Sequence, residues 1–376
     1  MTDAAIPASA PSAPKKGGEL GQWALIYRRF RRHKLAYWSG FVVIAIYVVA
    51  LFADFIAPFT ADSYNPRYIY TPPQTLKFFS ADAQGRTVPI YVNGYKMEMD
   101  PVALKRRFVE DPSKITPIGF FVKGQPYNLL GIIPMDRHLF GPHDPSAPMY
   151  LWGTDRMGRD LLSRTILGTR VSMSIGLVGV AISLLLGIML GGLSGYCGGW
   201  VDEAVQRTID FLKSIPTIPL WMGLAAAIPA RMDPLYVYFW ITIILSLIGW
   251  TDLARVVRGR FLSLKTEDFV LAARLDGCSR RRIIWRHMVP SFTSHIVASV
   301  TLAIPAMILA ETALSFLGIG LKPPVVSWGV LLNDAQSLLA LTNAPWLFLP
   351  GLAVVISVLA LNFLGDGIRD AADPYS

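Results

Sequence analysis

Glu311 stands in the run "LAIPAMILAETALSFLGIG", residues 302–320, as the single ionisable group. A carboxyl group in such a place is costly and is expected to face protein or water. It reads either as a functional group or as a hydrogen-bonded structural carboxylate. Asp155, Arg159 and Asp160 crowd into six positions, where they could pair with one another and fix a segment ahead of an apolar helix. The five histidines, His33, His138, His143, His287 and His295, are scattered, and Cys197 and Cys278 lie far apart. No zinc or disulfide spacing results, so both cysteines read as ordinary thiols and no metal site is expected. There is no G-x-x-x-x-G-K-[ST] loop to cradle phosphates. An enzyme is therefore not expected, and if ATP drives this protein, another polypeptide must bind it.

The elements that position these groups follow from composition. Of 376 residues, 53% are hydrophobic and only 16% charged, with mean hydropathy +0.43, a balance that points to a multi-span membrane protein. The formal charge of +9 is read against the spans before any partner is inferred, and a nucleic-acid role for the Arg280–Arg286 cluster is set aside because it lies between two of them. Apolar segments near the length of a ~30 Å crossing run over about 36–58, 171–196, 211–230, 236–250, 296–320 and 346–365. The second is rich in glycine (Gly176, Gly179, Gly187, Gly191, Gly192, Gly195), which suits close helix contact in lipid. Pro216, Pro219 and Pro229 interrupt the third, so its boundaries and those of the fourth are the least defined.

Arg28, Arg29, Arg31, Arg32 and Lys34 precede the first span, which places the N-terminus in the cytoplasm by the positive-inside bias; six spans bring the C-terminus back to the same side. The loops agree: residues 252–286 hold nine arginines and lysines, while residues 321–345 hold only Lys322. Residues 1–18, rich in Ala, Pro and Ser, are expected to be a disordered cytoplasmic tail, and residues 19–58 a basic segment with a retained first span. Residues 59–150 read as an extracytoplasmic subdomain in which "TVPIYVNGYKMEM", with Asn93-Gly94 at its centre, predicts a hairpin. Trp328 would anchor at the external interface.

Inside the cytoplasmic loop 251–290, Thr266 followed by Glu267 and Asp268 predicts a helix start, with Ala272 and Ala273 close to one apolar face. Gly277 can end that helix in the left-handed conformation, and Ser279 can cap a second one before Pro290. Such a pair could rest on lipid with its arginines near anionic headgroups or dock on a protein.

The spacing Ala272-Ala273-x3-Gly277-x9-His287-x-Val289-Pro290 resembles the E-A-A-x3-G-x9-I-x-L-P loop of ATP-binding-cassette importer permeases, with Leu271 at the usual glutamate and His287 at the usual isoleucine. "LWGTDRMGRDLLSRTILGTRVSMSIG" (151–176), "ETALSFLGIGLKPPVVSWGVLLNDA" (311–335) and "LGDGIRDAADP" (364–374) are similar to signatures of the dipeptide and oligopeptide branch. The resemblance implies an all-α polytopic fold of the type I importer permease, with about six transmembrane helices, a permease core over 151–376 and an enlarged extracytoplasmic region. It implies a binding-protein-dependent peptide importer of the bacterial inner membrane, with ATP and magnesium on partner subunits and no cofactor on this chain. The implied partners are a second homologous permease, two ATPase subunits that receive the loop, an external binding protein and membrane lipid, and the resemblance implies for Glu311 a place on the pathway or at a subunit contact. The same branch handles oligosaccharides such as α-galactosides, nickel chelates and opines, so cargo stays open; an ion-gradient-driven carrier using Glu311 is the alternative of another class.

Overall fold

The computed structural model describes residues 22–81, 87–99, 106–229 and 231–372; the expected tail of residues 1–18 lies outside them. The chain opens with the basic helix α1 (Gln22–Arg32) and the apolar helix α2 (Lys34–Leu51), started by His33, whose Nδ1 accepts from the Ala36 backbone N–H. Helix α2 is apolar all round, yet only Ala36, Ser39, Val43 and Ala50 are buried, at helical spacing; Trp38, Phe41, Ile44 and Val48 face outward. One packed stripe on an apolar cylinder is the pattern of a helix solvated by lipid.

Next come four antiparallel strands in sequence order, β1 (Lys77–Ala81), β2 (Thr87–Met99), β3 (Arg106–Leu129) and β4 (Ile133–Pro142). The hairpin expected at Asn93-Gly94 is not there: those residues sit inside the continuous strand β2. The irregularity belongs to β3, where Asn93 pairs with Ile115 and Gly94 with Asp111. Residues 112–114 are thus squeezed out as a bulge: Pro112 has no N–H for the ladder, and the Asp111 carboxylate accepts from the Ser113 N–H. Gly94 is needed because a Cβ there would lie 2.9 Å from that of Lys114.

The helical core follows: α3 (Leu161–Cys197), α4 (Gly199–Ser214), α5 (Thr217–Ala226), α6 (Pro234–Leu264), α7 (Asp268–Leu275), α8 (Thr293–Phe316), α9 (Trp328–Asp334) and α10 (Pro350–Ala372). Among the described residues five helices are long and apolar enough to cross a membrane, α2, α3, α6, α8 and α10. The expected third span is instead the ten-residue α5, preceded by the charged α4. Pro216, between them, cannot continue a helix.

Helix α4 runs antiparallel to α6, fastened by Asp202–Arg258, Asp210–Arg255 and Lys213–Asp252 in order along it. Ala36 at the start of α2 packs on Gly367 near the end of α10, so the two described ends share one side of the bundle. Five crossings would separate them, so the return falls to the stretch between α3 and α6, where the short apolar α5 lies.

The α3–α6 crossing is set by glycine. A Cβ on Gly187, Gly191 or Gly195 would come within 2.7, 2.4 and 2.7 Å of Leu253, Ala254 and Phe261. Gly176 and Gly179 do the same for Ile308 and Met307 of α8. Two helices thereby close on α3, α6 at backbone distance and α8 through its side chains, the small-residue packing that association in lipid favours.

Candidate functional site

Helix α7 forms the exposed end of the loop between α6 and α8. Its N-cap is Glu267, without a side-chain capping bond, rather than Thr266, whose hydroxyl donates to the Ser263 carbonyl. Gly277 has φ +73°, and the Ser279 hydroxyl accepts from the Arg282 N–H, so the turn and second cap stand where the sequence puts them. The chain then passes through a π-helical turn over Ile283–Met288, containing His287, before Val289 and Pro290. Such widened turns insert one residue and commonly mark functional sites.

The two alanines face opposite ways. Ala273 and Val270 are buried in a cluster with Tyr196, Phe261, Ile283, Ile284 and Met288, whereas Leu271, Ala272 and Leu275 point outward, Leu275 at 88% exposure. The reason is the 100° step per residue: Val270 and Ala273 share one side of a two-turn helix and Leu271, Ala272 and Leu275 the other. The Arg274 guanidinium lies 5.0 Å from the centroid of the Tyr196 ring, a cation–π contact that holds α7 to the end of α3. The loop is thus a rigid projection of α3 and α6 carrying an unburied leucine face.

Deeper in the bundle, a cavity of about 420 Å³ opens between α3, α5, α6 and α8, lined among others by Ser183, Trp221, Leu245, Asp252, Leu302 and Met307. Glu311 is not among its lining residues. Fully buried, its Oε1 accepts from Ser315 and Ser327 at 2.8 and 2.7 Å, and its Oε2 from Ser172 at 3.4 Å. The Ser172 hydroxyl in turn accepts from the Trp328 N–H. Glu311 therefore ties α8 to α3 and α9 inside this chain. Trp328, expected at the interface, is 1% exposed and donates its indole N–H to the Thr165 carbonyl; Gly168 leaves room for it.

Asp155 and Arg159 do pair, at 2.7 Å, but Asp160 does not join them. It caps α3, its Oδ2 accepting from the Ser163 N–H at 2.7 Å while Oδ1 is buried without a partner. Burial pushes its carboxyl up to about 7. The third member of the Asp155 cluster is Arg164, 1% exposed and 2.5 Å from the same carboxylate oxygen. Asp334 on α9 closes the network, 3.3 Å from Arg156 and 3.8 Å from Arg164, and burial also raises its carboxyl. Arg164 and Asp334 were missed because a sequence does not show that residues 170 positions apart meet. Arg170 was missed too: it donates to the Ala50 and Leu51 carbonyls and pairs with Asp54 at 2.7 Å. A cation thus satisfies the last carbonyls of α2. His138 is buried, its ring nitrogens 2.5 and 3.1 Å from the Ala57 and Gln125 carbonyls.

A membrane bundle of this kind, with a loop projecting from the ends of two glycine-packed helices, has the build of a membrane transport subunit. The chain belongs to the family of binding-protein-dependent transport system inner membrane components, whose model matches residues 183–375; residues 21–73 match the N-terminal transmembrane domain of oligopeptide transport permease C. It is 37% identical over 238 residues to the oligopeptide transport system permease protein OppC of Bacillus subtilis (strain 168), covering 63% of this chain and 75% of that one. The Haemophilus influenzae OppC is 39% identical over 226 residues (60% and 70%), and the dipeptide transport system permease protein DppC of Bacillus subtilis 36% over 232 (61% and 70%). Among solved structures, the inward-facing MetNI methionine ABC transporter aligns with TM-score 0.46 and 17% identity over 58% of this chain and 100% of that one.

Proposed function

We propose that this permease imports peptides as one of two homologous membrane subunits, with ATP and magnesium held by two cytoplasmic ATPase subunits and cargo delivered by an external binding protein. The names of its relatives support peptide as cargo. The observation that carries the mechanism is the outward face of α7: Leu271, Ala272 and Leu275 are solvent-exposed on an element otherwise fastened to its own bundle. An apolar face held in this way is a docking element. Closure of the ATPase pair would push on α7, and the Tyr196 and Phe261 contacts would pass the displacement to α3 and α6 as a rigid-body rotation. In this reading Gly277, His287, Val289 and Pro290 shape the loop, and Ala273 seats it. Glu311, Asp155, Arg159 and Asp160 hold the outer half together and touch no cargo.

This orientation puts the basic α1, the end of α10 and loop 251–290 in the cytoplasm, with residues 59–150 as a subdomain outside. Leu275→Asp tests the docking, because so exposed a residue can change without disturbing the bundle. The variant chain should keep its elution profile but lose copurifying ATPase subunits and uptake of a labelled oligopeptide. Undiminished ATPase in the purified complex would reject the docking role of α7.

A further inference from the structure

Where α1 meets the end of α10 the bundle carries a basic face that the transport cycle above leaves unused. The half-buried Ile26 and Phe30 share one side of α1, and Phe30 lies with Ala36 of α2 against Gly367 of α10. At 100° per residue Arg28, Arg31 and Arg32 fall on the opposite side. All three are exposed, as is Lys34, and none of these four side chains has an ion pair or hydrogen bond among the described residues. Arg28 stands three and four positions from Arg31 and Arg32, where like charges destabilise a helix. The macrodipole of α1 sets only about half an elementary charge against them. The rest of the counter-charge must come from outside this chain.

The source of that charge follows from α2. His33, with φ −81° and ψ 84°, interrupts the helix between α1 and α2, so the basic face stands at the very start of the first span. Both helices turn their buried sides to α10, Phe30 and Ala36 toward Gly367 and Gly40 toward Leu364. Their outward sides therefore look the same way, off the bundle. On α2 that side opens with Leu35, Trp38 and Phe41, of which Trp38 is 66% exposed, and continues through Ile44 and Val48. The rings of Tyr37, Trp38 and Phe41 pack on one another with centroids 5.1 to 6.1 Å apart. Cations, then packed aromatic rings, then an aliphatic wall is the order in which a leaflet presents its headgroups, its interface and its acyl chains.

We infer that α1 and the first turn of α2 bind anionic phospholipid, with Arg28, Arg31, Arg32 and Lys34 on the headgroup phosphates and Trp38 and Phe41 against the chains. Clustered cations beside a span select anionic over zwitterionic headgroups. An acidic protein segment would match the cations alone, whereas lipid also accounts for the aromatic and aliphatic surface that continues from them. The bound lipid neutralises the outer face of α1 and keeps its inner face on α10. The inference requires α2 to cross the membrane and depends neither on peptide cargo nor on docking at α7.

The test uses the full chain with its copurifying subunits in phosphatidylcholine nanodiscs. Cys197 and Cys278 are replaced by serine and one cysteine is introduced, Tyr27→Cys, one turn before Arg31 and exposed, or Leu352→Cys, exposed at the far end of α10, as the reference. Each is labelled with a fluorophore and challenged with phosphatidylglycerol or phosphatidylcholine carrying the same spin label near the glycerol, at equal mole fraction. At 27 the phosphatidylglycerol should quench about threefold more strongly or better, and at 352 the two should quench alike. The preference at 27 should fade in roughly 1 M salt, where screening acts within ~3 Å. It should also fade in the Arg31→Gln, Arg32→Gln double variant, which keeps Arg28, Arg29 and Lys34 to orient the span. A preference at 27 no greater than at 352 overturns the proposal, and so does one that survives in the double variant. Absence of quenching by either lipid at 27 overturns it as well, because protein or solvent then covers the face.

Discussion

At Asp160 a single carboxyl group does two jobs whose requirements conflict. As N-cap it must accept from the Ser163 N–H, yet its burial opposes the charge, so the folded chain holds its proton up to about pH 7 and the unfolded chain releases it near ~4. Between those values the folded state binds more protons, and its contribution to stability falls as pH rises through the window and is flat above it. The thermal midpoint in detergent should therefore drop from pH 5 to pH 8, and Asp160→Asn, which keeps the acceptor without the charge, should flatten that dependence. Arg164 presents the opposite case. Its removal leaves Asp155, which is 1% exposed, with Arg159 as its remaining guanidinium partner, and Arg164→Met should cost about 1–3 kcal/mol, read as a fall in the detergent-solubilised monodisperse fraction on heating.

Among the elements, α3 carries the most information per residue. Gly191 faces the Ala254 carbonyl so closely that a Cβ would stand 2.4 Å away, and backbone cannot yield as a side-chain tip can. Gly191→Val is expected to open the α3–α6 crossing and abolish accumulation of folded protein in the membrane. Gly223 in α5 has nothing within 4 Å; Gly223→Ala should be neutral or stabilising by up to ~1 kcal/mol. Side-by-side expression and melting of the two variants separates packing from helix propensity. The glycines are visible in the sequence, and their packing role was legible there. Which residue opposes each one was not, because helix register across a crossing depends on the angle at which two cylinders meet.

For the whole molecule, the decisive connection is the one between α7 and the bundle. Tyr196→Ala removes the ring beneath Arg274, a contact worth ~0.5–2 kcal/mol. The loop should then keep its exposed leucine face but transmit displacement poorly. The expectation is retained ATPase subunits with reduced uptake per ATP hydrolysed, measured in proteoliposomes; an unchanged ratio would place the transmission elsewhere.

Hydropathy and charge placement determined by themselves that this chain is a membrane bundle, which loop is basic, and where the turn at Gly277 and the cap at Ser279 fall, because these depend on solvent transfer and on local backbone preference. The motif spacing located the α7 loop and the Asp155–Arg159 pair for the same local reason. Only the tertiary structure decided that Ala273 faces inward and Ala272 outward, that Trp328 is buried, and that Glu311 serves three serine hydroxyls rather than the cavity. It also turned Asn93-Gly94 from a hairpin into the partner of a bulge, and an interrupted third span into two short helices, the first held to α6 by ion pairs. Each of those outcomes depends on what lies opposite a residue in space, through close packing and hydrogen-bond satisfaction between segments far apart in the chain.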